Sequence, residues 1–239
     1  MRRTGKALMF VLGLAVSALP AAAQEASPDA LFDADIVRTA TVLTLMAVAP
    51  AILISMTSFV RIVIVLGMIR HAFGMPETPP NPVLVSLALF LTVFTMGPAF
   101  SSINENALQP YLNNEVDVAV ALEAGARPLK DFMLAQVRDQ DLQAIYAIAH
   151  APLPETPEQV DIWKLTPAFI LNELRVAFSI GFVVMLPFLL IDLVVSSILL
   201  SLGMMMVPPS TISLPIKLLM FIVIDGWSLV IQGVLGGFG

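Results

Sequence analysis

The sequence predicts an all-α membrane protein, and three observations lead to that fold class. Of its 239 residues, 58% are hydrophobic and only 13% are charged, with a mean hydropathy of +0.90, which is typical of membrane proteins. Four long apolar segments follow one another along the chain. The sequence contains neither strand-type alternation of useful length nor an internal repeat. We expect four apolar helical segments that form two kinked hairpins, with a small helical insertion outside the cytoplasm.

Residues 1–23 have the pattern of a cleavable signal peptide. Three basic residues precede an apolar run from Ala7 to Leu19, and Ala21–Ala23 then forms an Ala-x-Ala cleavage pattern. The alternative is an uncleaved first membrane helix, which the shortness of the run disfavours. Cleavage would leave a periplasmic tail, residues 24–39, and would move the formal charge from −6 to about −9. An acidic chain without a basic patch argues against nucleic-acid binding.

The first helical hairpin is assigned to residues 40–100. Pro50 should kink its first helix, and a proline-rich loop over residues 70–82 should separate its two helices. Arg61 lies inside a run of apolar residues, where a charge against lipid is costly. Two interpretations of Arg61 stay open: it snorkels toward the basic end of its helix, or it makes a buried contact with a partner protein.

Residues 101–165 differ from the rest of the chain because they resemble a soluble domain. Ten acidic residues stand there against four basic ones, a balance that suits a location outside the cytoplasm. Apolar positions recur at helical spacing over residues 129–137 and again over residues 142–149. The pattern predicts an acidic periplasmic domain built on a pair of amphipathic helices.

The second helical hairpin is assigned to residues 166–239. We expect its first helix to begin with Thr166 as N-cap and to reach Leu202. The second helix should begin with Ser213 as cap and continue to about Leu235. The charged side chains inside these apolar segments are Glu173, Arg175, Asp192, Lys217 and Asp225.

The distance of each charged residue from the hairpin turn can be estimated from the rise of a helix. Asp192 precedes Gly203 by eleven residues and Lys217 follows Ser213 by four. At about 1.5 Å per residue they are staggered by about 10 Å, whereas Asp225 is nearly level with Asp192 at about 17 Å from the turn. Lys217 and Asp192 are thus expected not to pair within one hairpin. Either Lys217 meets an acidic residue of another chain or the charges face a water-filled lumen, and both answers imply an oligomer.

A methionine run forms the turn between these helices. Met204, Met205 and Met206 lie between Gly203 and a pair of prolines, which end a helix. Methionine is unbranched and deformable, so three in a row at a turn could form a soft seal. The alternative is that they fill gaps in a core or face lipid. Three consecutive residues cannot share one helix face, so at least one points away from any single packing surface.

Sequence motifs of catalysis are missing. Level carboxylates at Asp192 and Asp225 suggest an aspartyl intramembrane protease, but neither lies in a Gly-x-Gly-Asp or Tyr-Asp context. The chain has no cysteine, no His-Glu-x-x-His motif and no phosphate-binding loop, so we expect neither an enzyme nor a cofactor or metal. A small oligomeric ion channel or a secondary transporter with an intramembrane charged site stays open as an alternative.

Five stretches carry a resemblance to a known family: Met56–Val63, Pro79–Pro82, Leu129–Leu134, Gly203–Pro209 and Asp225–Trp227. Together they resemble the FliP family, the flagellar biosynthetic proteins of the type III export apparatus, over nearly all of the chain. The resemblance implies a passive channel for exported flagellar proteins, built from several copies of the chain with FliQ and FliR and lying next to FlhA and FlhB. It also implies a helical cone in the flagellar basal body, raised toward the periplasmic side of the inner membrane, that nucleates the rod.

The same resemblance implies roles for individual residues. Met204, Met205 and Met206 look like a methionine gasket that lines the closed pore. The positions that look like subunit contacts are Asp192, Lys217, Glu173, Phe132 and Arg138. Arg61, Arg175 and Asp225 are further candidates for subunit contacts or buried charges.

Overall fold

The computed structural model describes residues 34–75 and 77–238, and every regular element in them is helical. The all-α class is therefore confirmed for these residues. The predicted signal peptide, residues 1–23, and the start of the predicted tail lie outside the described residues. The chain divides into residues 1–50 and residues 51–239. The described part of the first unit is helix, and the following description concerns the second unit.

The first break in the helical chain lies beyond Pro50. Helix α1 (Ala34–Met56) passes through that proline, and α2 (Phe59–Ala72) follows at an angle of 76° to the last turns of α1. The break thus falls at Thr57 and Ser58, two buried hydroxyl residues, and the helix is not interrupted at the proline. The Thr57 hydroxyl donates to the carbonyl of Leu53, which satisfies an acceptor at the end of α1.

A second break follows the loop that the prolines predict. Helix α3 (Asn81–Thr95) is bent by 67° from the helical stretch that begins with α4 (Gly97–Ile103). The bend lies at Met96, directly before Gly97 and Pro98. The two breaks meet, because the hydroxyls of Ser58 and Thr95 form a hydrogen bond at 2.5 Å. Each break therefore satisfies polar groups of the other.

The acidic insertion forms a helix pair, as the apolar spacing predicts. A π-helical turn (Asn104–Leu108) and α5 (Gln109–Leu112) lead into α6 (Val118–Gln136) and α7 (Asp139–Ile148). A short 3₁₀ turn (Pro157–Gln159) follows. This region packs on the start of the next helix through a second small core, formed by Met133, Val160, Leu165 and Phe169.

Helix α8 (Ile162–Ser201) is 40 residues long and continuous through two prolines. The prediction that Thr166 caps it is wrong, because Asp161 is the N-cap and accepts a hydrogen bond from the backbone N–H of Trp163. Its end next to Leu202 is as predicted. Among the described residues it is the one helix long and apolar enough by itself to cross a membrane, and three bent helix pairs would each meet that test as one broken span.

The last two helices differ from the predicted single one. Helix α9 (Ser210–Val223) begins three residues before Ser213, which is buried inside it. It ends at a break of 68° centred on Asp225, whose φ of 49° is left-handed, and α10 (Gly226–Leu235) follows. A final 3₁₀ turn (Gly236–Phe238) follows α10.

The main apolar core lies where α2, α3, α8, α9 and α10 meet. Three phenylalanines pack at its centre, with Phe73 against Phe188 and Phe221 at ring-centroid distances of 5.2 and 4.8 Å. Edge-to-face packing of this kind adds to the apolar burial. This core fixes the relative positions of the helices that carry the buried charges.

Candidate functional site

Arg61 and Glu173 form a fully buried ion pair. Arg61 lies in the first turn of α2, just after the first break, and Glu173 lies in α8; their exposures are 1% and 0%. The guanidinium Nε donates to Oε2 at 2.7 Å and Nη2 donates to Oε1 at 2.5 Å. Two parallel hydrogen bonds of this kind are the strongest form of such a pair. The interpretation of Arg61 as a snorkelling residue is therefore wrong: its charge is neutralised within the same chain.

The remaining donors of Arg61 reach two other parts of the chain. Nη2 also donates to the side-chain oxygen of Gln136 at the end of α6, at 3.0 Å. Nη1 donates to the carbonyl of Gly237 at 3.2 Å, and the Phe238 ring covers the guanidinium with its centroid 3.7 Å from Cζ. Three segments that are far apart in sequence thus converge on the Arg61 side chain.

Phe132 lies at the edge of this cluster. Its ring is edge-on to Phe169 at 5.8 Å and stacked on Phe238 at 6.0 Å with an interplanar angle of 24°. The side chain is half-buried within its own chain. Its role as a subunit contact stays a prediction.

Lys217 and Asp192 pair within the hairpin, so the expectation that they cannot is wrong. The Nζ of Lys217 lies 2.5 Å from Oδ2 of Asp192 and donates to the carbonyl of Ala72 at 3.0 Å. The depth estimate failed because α9 begins at Ser210. Counted from the observed helix ends, Asp192 and Lys217 lie at depths of about 14 and 10 Å, a difference that the lysine stem can bridge.

Asp225 does not lie level with Asp192. Counted from Ser210 it is at a depth of about 22 Å, and the break at this residue turns the chain away from the direction of α9. Asp225 is exposed, whereas Asp192 is engaged by Lys217. The two carboxylates therefore do not form the level pair that suggested an aspartyl protease.

Arg175 and Asp141 form a third pair, which ties the insertion to α8. Both guanidinium Nη atoms donate to the Asp141 carboxylate at 2.7 Å. Asp141 is nearly buried, while the Arg175 side chain is half-exposed. Arg138 is exposed at the N-cap of α7, and its carbonyl accepts from the backbone N–H of Leu142 at 3.1 Å.

The methionine turn projects from the hairpin. Gly203 has a φ of +73°, a left-handed conformation that suits glycine at the end of a helix. Met204, Met205 and Met206 are 42%, 80% and 95% exposed, so they do not fill gaps in the core of their own chain. An open groove of about 600 Å³ lies beside the turn, and Asp192 is among its lining residues.

The pKa values of two carboxyl groups, those of Asp161 and Glu158, are lowered. A hydrogen bond from the Lys164 ammonium, and a second one from the Trp163 N–H, lower the pKa of Asp161 below its usual value. A hydrogen bond from its own backbone N–H, and one from Thr156, lower the pKa of Glu158. Both groups are therefore ionised at neutral pH, and for Asp161 this supports its function as a helix cap.

Several residues of these clusters were not found from the sequence as contact partners. Gln136 lies in a predicted amphipathic helix and Asp141 is one of ten acidic residues in the predicted domain, so the sequence marks neither as a contact partner. Phe238 and the carbonyl of Gly237 carry no sequence signal, because a terminal Gly-Gly-Phe has no distinctive pattern. The sequence does indicate the central pair, because Arg61 and Glu173 are opposite charges in two separate apolar segments.

The fold and these clusters define an all-helical membrane protein whose internal charges are paired and whose hairpin turn exposes three methionines. Within the residues that the structure describes, no group of three or more His, Cys, Asp or Glu side chains could hold a metal ion. The chain belongs to the FliP family, whose model matches residues 42–234.

Relatives that carry the name "flagellar biosynthetic protein FliP" support this assignment. The protein of Pectobacterium carotovorum is 48% identical over 84% of this chain and 78% of its own length. That of Bacillus subtilis is 45% identical over 84% of this chain and 91% of its own. That of Rhizobium meliloti is 41% identical over 97% of this chain and 96% of its own.

Proposed function

We propose that this chain is a core subunit of the flagellar type III protein export gate. Several copies would form, with FliQ and FliR, a channel that conducts unfolded flagellar proteins and nucleates the rod. FlhA and FlhB would lie nearby in the basal body, and the assembled core would lie toward the periplasmic side of the inner membrane. Membership of the FliP family and relatives named flagellar biosynthetic proteins support this proposal.

The observation that carries the channel proposal is the exposed methionine turn on a stiff hairpin. The Lys217–Asp192 pair joins the two helices two or three turns from the tip. Beyond it, the turn presents three flexible thioether side chains, of which Met205 and Met206 are largely exposed. We propose that several copies of the chain place these methionines around one axis. There they act as a gasket that closes the pore to ions and gives way when a polypeptide passes.

Exposed apolar surface supports assembly of several copies. The outer faces of α8 and α9 carry large apolar side chains that the single chain leaves open: Leu189, Leu190, Leu193, Ile198, Leu219, Ile222 and Val223. Large apolar side chains left open in such number are typical of an interface with protein or lipid. We propose that neighbouring copies cover part of it.

The proposed subunit contacts differ in accessibility. Arg138, Arg175 and Asp192 have exposed surface in the protomer and could contact a neighbour without rearrangement. Glu173 and Arg61 satisfy each other inside the protomer. A contact between copies through Glu173 would therefore require this pair to open.

The pairing of the charges weighs against a secondary transporter. A transport site needs charged groups that are free to bind an ion, whereas Lys217 and Asp192 neutralise each other, as do Arg61 and Glu173. These four side chains have a structural explanation without a transported ion. An oligomeric channel is compatible with the same pairs.

The gasket is tested by replacing Met204, Met205 and Met206 together with alanine. We expect the gate to assemble and to leak ions and small solutes, as measured by membrane conductance or by entry of a small dye. The matched control replaces three exposed apolar residues of α3, Val83, Phe90 and Val93, with alanine. The control is expected to leave an assembled gate tight. A triple methionine variant that assembles and is as tight as wild type would remove the gasket assignment.

A further inference from the structure

The C-terminal turn Gly236–Phe238 completes the environment of a buried charge. A guanidinium is charged at any accessible pH, so its burial is tolerated only when its donors are satisfied. Glu173 and Gln136 accept from Nε and Nη2 of Arg61. Nη1 has the Gly237 carbonyl as its acceptor, at 3.2 Å.

The same turn closes the open face of the guanidinium. The Phe238 ring lies over Arg61 with its centroid 3.7 Å from Cζ, within the range of a cation–π interaction. Its other neighbour is Phe132 of α6, against which it stacks. One aromatic ring thus joins the C-terminus to the first turn of α2 and to the insertion.

Position 237 explains why the chain can approach so closely. A Cβ atom placed on Gly237 would lie 2.8 Å from Nη1 of Arg61, closer than side-chain atoms normally approach. The neighbouring Gly236 has open space around the same position. An added Cβ at position 237 would therefore force the guanidinium or the backbone to shift, whereas one at position 236 would not.

We propose that Gly236–Phe238 is a C-terminal strap that closes the protomer over the Arg61–Glu173 pair. The strap follows α10, whose Val230 and Val234 lie in the main core, so docking of α10 brings the strap to Arg61. The buried pair is sealed only when these last residues are in place. The strap makes the C-terminus a locking element for the junction of α2, α6 and α8, beyond any part it plays in the gate.

Two matched glycine variants of the full chain test the strap. Gly237→Ala pushes the strap from Arg61, and we expect the unfolding midpoint in detergent to fall by about 3 °C or more. Gly236→Ala is the control and should leave the midpoint within about 1 °C of wild type or raise it. Equal midpoints for the two variants would overturn the strap, because an added Cβ meets the guanidinium at position 237 and nothing at position 236.

Phe238 variants separate ring chemistry from apolar filling. Phe238→Tyr keeps an aromatic face over the guanidinium, whereas Phe238→Leu keeps apolar bulk without a quadrupole. We expect the tyrosine variant to retain the wild-type midpoint and the leucine variant to lose a few degrees, with faster proteolysis near residues 57–61. Phe94→Ala, at a ring that is 77% exposed, is the control for loss of a phenylalanine. If the leucine variant is as stable as wild type, the Phe238 side chain acts only through its apolar volume, which would contradict the proposal.

Discussion

Lys217 and Asp192 form an ion pair whose two ends lie in different environments. The side chains are 6% and 42% exposed, and Lys217 also donates to the carbonyl of Ala72 next to the end of α2. The pair therefore joins α2, α8 and α9 around one ammonium group. Because water can hydrate the half-exposed carboxylate but not the buried ammonium, the two partners depend on each other unequally.

This asymmetry predicts that the loss of Asp192 is worse than the loss of Lys217. Asp192→Ala leaves a buried ammonium without its counter-charge, a change that costs about 3–5 kcal/mol for a fully buried pair. Because Asp192 is half-exposed, we expect the low end of that range. Lys217→Met removes the buried charge and keeps apolar volume, so its free energy of unfolding should fall by less. Denaturant titration in detergent measures both.

The double variant Lys217→Met with Asp192→Leu is the control for this pair. It removes both charges, and its stability should exceed that of Asp192→Ala alone. If Asp192→Ala and Lys217→Met cost the same, the unequal burial of the two groups does not govern the pair. If neither change affects stability, the pair is not formed in the folded protomer.

The sequence predicts much of this fold because apolar length and proline position are local signals. The all-α class, the helix pair of the insertion, the turn at Gly203 and the end of α8 at Leu202 all follow from them. The breaks were harder to place. Pro50 suggested the first one, but it lies at Thr57 and Ser58, where buried hydroxyls hydrogen-bond to Leu53 and Thr95. Such contacts across helices leave no local pattern.

In the candidate site too, the sequence indicates the buried charges but not the residues they contact. Arg61, Glu173, Asp192 and Lys217 are recognisable in the sequence because charges in apolar segments are costly. Their partners depend on tertiary geometry: a helix start displaced by three residues was enough to misplace Lys217. The contacts of Gly237 and Phe238 with Arg61 depend on how the chain end returns to α2, which no local spacing encodes.

Gly226 at the last helix break is predicted to resist substitution. A Cβ atom at this position would overlap the ring of Phe221, which lies in the main core. We expect Gly226→Ala to lower the free energy of unfolding by about 1–3 kcal/mol through overpacking. Gly233→Ala, in the same helix but with open space around its Cβ, is the matched control and should be neutral or stabilising. Comparable losses for the two variants would contradict the packing explanation.

The cap of α8 is predicted to depend on pH. The lowered pKa of Asp161 means that its carboxylate stabilises the fold above the usual aspartate pKa, and that this contribution is lost as the pH falls through the lowered value. Asp161→Ala should therefore cost about 1 kcal/mol near pH 7, and the difference from wild type should vanish in strong acid. Thermal unfolding from pH 7 into strong acid, below the lowered pKa of Asp161, measures the difference.

Asp117 provides the control for that experiment. It occupies the N-cap position of α6 without making a side-chain cap hydrogen bond, whereas Asp161 makes one to α8. Asp117→Ala should change stability by less than Asp161→Ala at neutral pH. If the two variants lose the same stability, the side-chain hydrogen bond of Asp161 adds nothing to the effect of an aspartate at the N-cap position.

Glu173→Gln is predicted to be among the most harmful single changes in the chain. It leaves the charge of Arg61 fully buried and replaces one of two carboxylate acceptors by an amide donor, so we expect a loss of about 3–5 kcal/mol. Glu105→Gln, at an exposed carboxyl, is the control and should leave the stability close to that of wild type.

The same substitution distinguishes a pair within one chain from a pair between copies. Arg61 and Glu173 belong to one protomer, so the loss in Glu173→Gln should be independent of protein concentration and should be present in detergent-dispersed monomers. Arg61→Met combined with Glu173→Leu removes both charges and should recover a large part of the stability. Size-exclusion chromatography coupled to light scattering gives the oligomer size of each variant. A monomer of unchanged stability together with a smaller oligomer would contradict the assignment, because Glu173 would then act between chains.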